Sequence, residues 1–95
     1  MNNIIAEIQN HMTKCAGTYG DWYCGIASDS RQRLFVDHNV NEKTDAWIYK
    51  DCGTENTARD IERHFLGKGC KGDEGGGDWQ TKYVYTYKIT SHSRE

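Results

Sequence analysis

The stretch "DWYCGIASDSRQRL", residues 21–34, contains the first predicted strand and the start of the helix after it. Residues 22–27 alternate in character, which predicts a β-strand with two opposite faces. Ser28 or Asp29 can then cap a helix over residues 30–39, because their side-chain oxygens accept hydrogen bonds from unpaired backbone N–H groups. The two faces of the strand carry Trp22, Cys24 and Ile26 on one side and Tyr23, Gly25 and Ala27 on the other.

Two further strands are predicted, over "AWIYKDC" (residues 46–52) and "WQTKYVYTYKIT" (residues 79–90). Helical spacing of apolar residues occurs in "NNIIAEIQNHM" (residues 2–12) and in "GTENTARDIERHFLGKG" (residues 53–69). The order is therefore helix, strand, helix, strand, helix, strand. It predicts an α+β fold in which about three helices flank a small, mixed or antiparallel, three-stranded sheet.

Local signals refine this outline. Thr57 with Asp60 resembles a capping box at the start of the third helix, and Asn39 can end the second. The glycine-rich loop at residues 70–78 is not a phosphate cradle, since its acidic residues would repel phosphate. The tail at residues 91–95 is expected to be frayed.

The 95 residues predict a single domain, residues 1–95, with a formal net charge of −2. This near-neutral charge argues against non-specific nucleic-acid binding, but it does not exclude a local basic patch on the surface. Neither a signal peptide nor a membrane span is recognisable, so we expect a cytoplasmic protein without a membrane partner. The four cysteines are evenly spread without a CxxC pair, which favours reduced thiols.

Several polar residues are candidates for chemistry. Tyr23 is followed ten positions later by Arg33, whose guanidinium suits a phosphate if the strand and helix meet at a cleft, and which is otherwise a solvated helix residue. Glu62 lies at the edge of the apolar stripe of the third helix, where a carboxylate must be solvated, paired or bound to a metal. His38 is expected at an exposed helix end, where it can assist acid–base chemistry.

These residues resemble the GIY-YIG nuclease family. In that family a Tyr-x-Gly strand leads into a helix whose arginine lies ten residues after the tyrosine, and Tyr23 and Arg33 in "YCGIASDSRQRL" keep this spacing. The helix "TARDIERHFLGKG" resembles the family's later helix, and Glu62 matches its metal-binding glutamate. The resemblance covers roughly residues 22–70, so it implies a GIY-YIG-like fold.

The chain departs from the family at its first motif. The nearest Gly-Ile-Tyr candidate is "GTY" at residues 17–19, too close to Tyr23 for a two-strand hairpin. We therefore expect the strand "KYVYTYKI", residues 82–89, to take the place of the missing first strand, as in a circular permutation. This hypothesis requires residues 82–89 to pair directly with residues 22–27. It would bring a tyrosine of the last strand to the site, and Tyr85 is the candidate, although which residue replaces the first tyrosine stays open.

The resemblance implies a metal-dependent endonuclease that hydrolyses phosphodiester bonds in DNA. Glu62 would hold Mg²⁺ or Mn²⁺, Arg33 would stabilise charge on the phosphate, and Tyr23 with Tyr85 would orient or deprotonate the attacking water. His38 would assist. Arg31 and Lys82 are the candidate substrate contacts. The alternative is a catalytically weakened module that binds a protein or nucleic-acid partner.

Overall fold

The computed structural model describes residues 2–15, 17–72 and 81–94. It has an α+β architecture of three helices and one three-stranded sheet, which confirms the predicted fold class. A 3₁₀ turn at Tyr19–Asp21 precedes the first strand, and a π-helical turn at Arg33–Asp37 directly continues the second helix. The elements are α1 (Asn2–Cys15), β1 (Trp22–Ala27), α2 (Ser30–Gln32), β2 (Trp47–Asp51), α3 (Glu55–Lys68) and β3 (Tyr83–Lys88).

The sheet has the strand order β1-β3-β2, and both pairings are antiparallel. β3, the last strand in the chain, therefore lies in the centre. Its register with β1 runs from Trp22 opposite Lys88 to Ala27 opposite Tyr83. The expected direct pairing of the C-terminal strand with residues 22–27 is confirmed. As the central strand, β3 forms backbone hydrogen bonds along both of its edges.

Each face of the sheet has its own core. Side chains alternate along each strand, so β1 sends one set toward α1 and α3 and the other set toward the segment after β1. The helix-side core consists of Ile8, Met12, Trp22, Cys24, Ile26, Ala58, Ile61, Phe65, Cys70 and Val84. The other core, which we call the tyrosine face, consists of Tyr23, Ala27, Leu34, Val40, Tyr85 and Tyr87.

The start of α3 differs from the predicted capping box. Thr54 is the N-cap, and its hydroxyl accepts a hydrogen bond of 3.2 Å from the backbone N–H of Thr57. The capping box on Thr57 with Asp60 is wrong, because the helix already begins at Glu55. Gly69 ends α3 with φ +117°, a left-handed conformation that favours glycine.

Residues 91–94 of the tail are held in place rather than frayed, which corrects the sequence-based expectation for the part of the tail that is described. The backbone N–H of Arg94 donates to the carbonyl of His38 at 2.7 Å. The side-chain amide of Asn39 donates to the carbonyl of His92 at 3.0 Å. These bonds place the C-terminal segment along the end of the π-helical turn. Asn39 itself has φ +58° and marks the end of the helical segment, as predicted.

Two predicted features are only partly covered by the described residues. Residues 73–80, which include most of the glycine-rich loop and the predicted start of the third strand, lie outside the described residues.

Within the described ranges, none of the helices is long and apolar enough to cross a membrane. All four cysteines lie in those ranges and carry free thiols.

Gly25 fixes the fit between β1 and β3. It lies directly opposite Tyr85, and the aromatic ring of Tyr85 covers it. A Cβ atom at this position would lie 2.5 Å from the Tyr85 hydroxyl oxygen and 2.7 Å from Cζ. Because heavy atoms do not approach so closely, only glycine allows the Tyr85 ring to lie against the strand.

We predict that Gly25→Ala destabilises the protein by about 1–3 kcal/mol, the usual cost of overpacking a core. Gly67→Ala is the matched control, since a Cβ there meets nothing within 4 Å and α3 gains a better helix former. Urea unfolding of both variants measures the difference. Equal stability of the two variants would contradict the predicted clash.

Candidate functional site

Aromatic rings and one imidazole form the centre of the tyrosine face. The ring of Tyr23 stacks on Tyr87 with a centroid distance of 5.2 Å and lies 4.6 Å from the imidazole of His38. Tyr85 is 1% exposed and His38 is 4% exposed. The expectation of an exposed helix-end histidine is therefore wrong. The π-helical turn and the tail together carry the imidazole into the core.

A chain of hydrogen bonds runs through His38. Its Nδ1 lies 2.5 Å from the carbonyl oxygen of Arg94, and its Nε2 lies 2.8 Å from the hydroxyl of Tyr85. A carbonyl oxygen only accepts hydrogen bonds, so Nδ1 carries a proton. In a neutral imidazole Nε2 then accepts from the Tyr85 hydroxyl. The hydroxyl of Tyr87 also donates to the Arg94 carbonyl, at 3.2 Å.

Arg33 connects this buried chain to solvent. A hydrogen bond with Tyr85 is the main reason that the pKa of Arg33 is raised, so the guanidinium remains charged. Arg33 also forms an ion pair of 3.1 Å with Asp37, and its side chain is 47% exposed. One side of the guanidinium therefore contacts the tyrosine face, and the remainder is accessible to a ligand.

The Tyr85 hydroxyl is a hydrogen-bonding group rather than a base. Burial raises its pKa well above the ordinary value, and the hydrogen bond from Arg33 lowers it by less. At neutral pH the phenol keeps its proton. Because the Tyr85 hydroxyl donates its hydrogen bond to Nε2 of a neutral His38, the lone pairs of its oxygen are left to face the positive charge of Arg33. The arrangement orients Arg33 and does not generate a phenolate.

Glu62 lies on the opposite side of the sheet. Its carboxylate is 2% exposed on α3, whose buried residues belong to the helix-side core. It acts electrostatically on Cys24, which faces the same way. By contrast, the groups that shift the pKa of Arg33 are Tyr85, Asp37 and Tyr23. The structure thus brings Tyr23, Arg33, Tyr85 and His38 together and leaves Glu62 behind the sheet.

This placement does not fit the metal that the family resemblance implies. A protein-bound Mg²⁺ usually keeps several waters and contacts the substrate phosphate, so its carboxylate ligand must be accessible. Glu62 is buried and is separated by the sheet from the guanidinium that would face the same phosphate. Among the residues that the structure describes, no group of three His, Cys, Asp or Glu residues could hold a metal ion.

The two candidate substrate contacts lie on the surface. Arg31 forms an ion pair of 2.8 Å with Glu42, and its side chain is 51% exposed. Lys82 lies 3.8 Å from the carboxylate of Asp51. The guanidinium of Arg31 lies 5.0 Å from the ring centroid of Phe35, and the ammonium of Lys82 lies 5.7 Å from that of Tyr83. They are not part of the buried hydrogen-bond chain.

Sequence reasoning missed the dependence of His38 on the tail. A histidine five positions after Arg33 in the sequence gives no sign that a carbonyl 56 positions later holds it. A weak signal exists, because Thr90 and Ser93 suit a hydroxyl-capped turn. They form one, with the N–H of Thr90 donating to the Ser93 Oγ at 3.0 Å.

Comparison of the chain with protein-family models, with curated proteins and with solved structures finds no match.

We predict that truncation after Ser93 destabilises the protein more than truncation after Arg94. The shorter chain loses the Arg94 carbonyl, which leaves the buried Nδ1 of His38 without its acceptor at a cost of about 1–3 kcal/mol. The longer chain retains an acceptor oxygen as its terminal carboxylate. Urea unfolding gives the comparison, and two equally stable truncations would show that the tail does not hold His38.

A second prediction concerns alkaline pH. The pKa of Tyr85 is raised in the folded state, so above about pH 10 the unfolded chain loses this proton while the folded chain keeps it. Stability must therefore fall as pH rises past that value. The wild type should lose more stability between pH 8 and pH 11 than Tyr85→Phe, which has no proton to lose there. Thermal unfolding across this range measures it, and parallel curves would refute the assignment.

Proposed function

We propose that this chain is a GIY-YIG-like module that binds DNA by holding a backbone phosphate at Arg33, and that one-metal hydrolysis is weakened in it. The supporting observation is the environment of Arg33: its proximity to Tyr85 is the main cause of its raised pKa, while its side chain is 47% exposed. A guanidinium anchored on one side is pre-organised to bind two phosphate oxygens on the other.

Asp37 does not block this role. It is 39% exposed and forms an ordinary i,i+4 pair with Arg33. Such exposed pairs contribute roughly 0–1 kcal/mol, so a phosphate can displace the carboxylate at low cost. Tyr85 stays beside the guanidinium during the exchange, because this residue is 1% exposed and belongs to the tyrosine face.

Endonuclease activity is the second candidate. It is favoured by the assembly of Tyr23, Arg33 and Tyr85, the residues that the family resemblance assigns to the phosphate and the attacking water. The position of Glu62 argues against it. The raised pKa of Tyr85 also removes this hydroxyl as a general base near neutral pH.

We predict that Arg33→Ala weakens DNA binding about tenfold or more, the effect expected for loss of one charge-assisted hydrogen-bonding group. The slope of log affinity against log salt should fall by about one. Arg59→Ala is the matched control, since Arg59 also forms an i,i+4 pair, with Glu55 at 2.9 Å, but lies on α3. Fluorescence anisotropy with a labelled duplex measures both variants.

A cleavage assay separates the two functions. The wild type is incubated with plasmid and branched DNA and Mg²⁺ or Mn²⁺, beside Glu62→Gln and Arg33→Ala. Binding that requires Arg33 without cleavage supports the module. Cleavage that both substitutions abolish would overturn it in favour of the endonuclease. Equal DNA binding by wild type and Arg33→Ala would refute phosphate binding at this site.

A further inference from the structure

We propose that a cleft next to Arg33 binds the base of an unpaired DNA nucleotide. This inference rests on the proposed function and specifies its substrate class. The cleft lies on the tyrosine face, between the end of β1 and the edge strand β2, and has a volume of about 260 Å³. It is lined by Ser28, Asp29, Ser30, Arg31, Tyr49 and Tyr83.

The aromatic walls of the cleft are accessible, unlike the rings beside it. Tyr49 and Tyr83 are half-buried, whereas Tyr85 and Tyr87 are at most 1% exposed. The rings of Tyr49 and Tyr83 meet edge to face with centroids 6.2 Å apart. Buried tyrosines fill the core, whereas Tyr49 and Tyr83 keep part of their surface toward the cleft, where a base can stack even though Trp47 stacks on Tyr49 and the Lys82 ammonium lies over Tyr83.

The surroundings fix these rings in place. Trp47 stacks on Tyr49 with a centroid distance of 5.9 Å and an interplanar angle of 8°. Arg31 also lines the cleft, and its proximity to Tyr49 contributes to its raised pKa. The ring of Tyr49 therefore loses little freedom when a ligand stacks on it, which lowers the entropic cost of binding.

The cleft also lies next to the proposed phosphate site in the sheet. Tyr85, which anchors Arg33, lies opposite Tyr49 on β2 and two positions from Tyr83 on β3. A nucleotide whose phosphate contacts Arg33 would thus present its base to the cleft. A base inside a duplex cannot reach these rings, so the nucleotide must be unpaired.

The cations around the cleft are paired with carboxylates, so we expect base stacking to provide most of the affinity for the nucleotide. Arg31, Arg33 and Lys82 each pair with a carboxylate, respectively that of Glu42, Asp37 and Asp51. A surface of paired cations neutralises few phosphates, so little affinity comes from counterion release. Binding that depends on aromatic stacking should therefore vary only weakly with salt.

The test uses labelled single-stranded and duplex DNA of the same sequence in fluorescence anisotropy titrations, over a range of salt concentrations. Tyr49→Leu and Tyr83→Leu retain apolar volume but remove the π-face. Tyr19→Leu is the matched control, because Tyr19 is half-buried and lies in the 3₁₀ turn before β1. Thermal unfolding confirms that each variant is folded.

We expect the wild type to prefer the single strand, with a salt slope of about one or two. Each of the two cleft substitutions should weaken single-strand binding about fivefold or more, and Tyr19→Leu should not. If Tyr49→Leu and Tyr83→Leu bind as the wild type does while Arg33→Ala binds weakly, base recognition is refuted and phosphate binding stands. If the wild type binds neither DNA, both proposals fail.

Discussion

The contact between Gly25 and the ring of Tyr85 is the constraint on which the rest of the tyrosine face depends. The ring lies where a Cβ atom would otherwise be, so β1 and β3 can approach with an aromatic side chain directly over the strand. This position carries the Tyr85 hydroxyl to both His38 and Arg33. A larger residue at position 25 would displace the ring and separate the groups that it joins.

The sheet also divides the candidate residues into two environments. On one side, a buried imidazole and a neutral phenol hold a charged guanidinium at the surface. On the other side, Glu62 is buried on α3, the helix that packs on the helix-side core. The Arg33 guanidinium and the Glu62 carboxylate therefore differ in which ligands can reach them. Arg33 can meet an anion from solvent, and an accessible metal centre at Glu62 would require the helix-side core to open.

Much of the architecture could be predicted because it depends on local periodicity. The strands around Tyr23, Trp47 and Tyr85 alternate, and the helices have apolar residues at a 3.6-residue spacing, so each element and its buried face follow from neighbouring residues. The capping of α3 was harder to predict, since Thr54 and Thr57 both have suitable hydroxyls within a few positions. Thr54 is the cap because the helix begins at Glu55, the residue that follows it.

The candidate site was predictable only in part. The spacing of Tyr23 and Arg33 predicted two residues of the site. The lack of a first strand in the expected place indicated that the last strand, with Tyr85, takes part in it. His38 was misjudged, because its burial depends on the C-terminal segment that folds back over it. No periodic pattern describes a single carbonyl at the far end of the chain.

The sequence by itself determined the elements, their faces and the α+β class, because side-chain periodicity and capping chemistry act over a few residues. The tertiary structure decided which candidates meet. Alternation along β1 places Tyr23 and Cys24 on opposite faces, and the docking of α3 on the Cys24 side takes Glu62 away from Arg33. The central position of β3 decides that Tyr85 joins Arg33, since strand order is set by long-range backbone pairing.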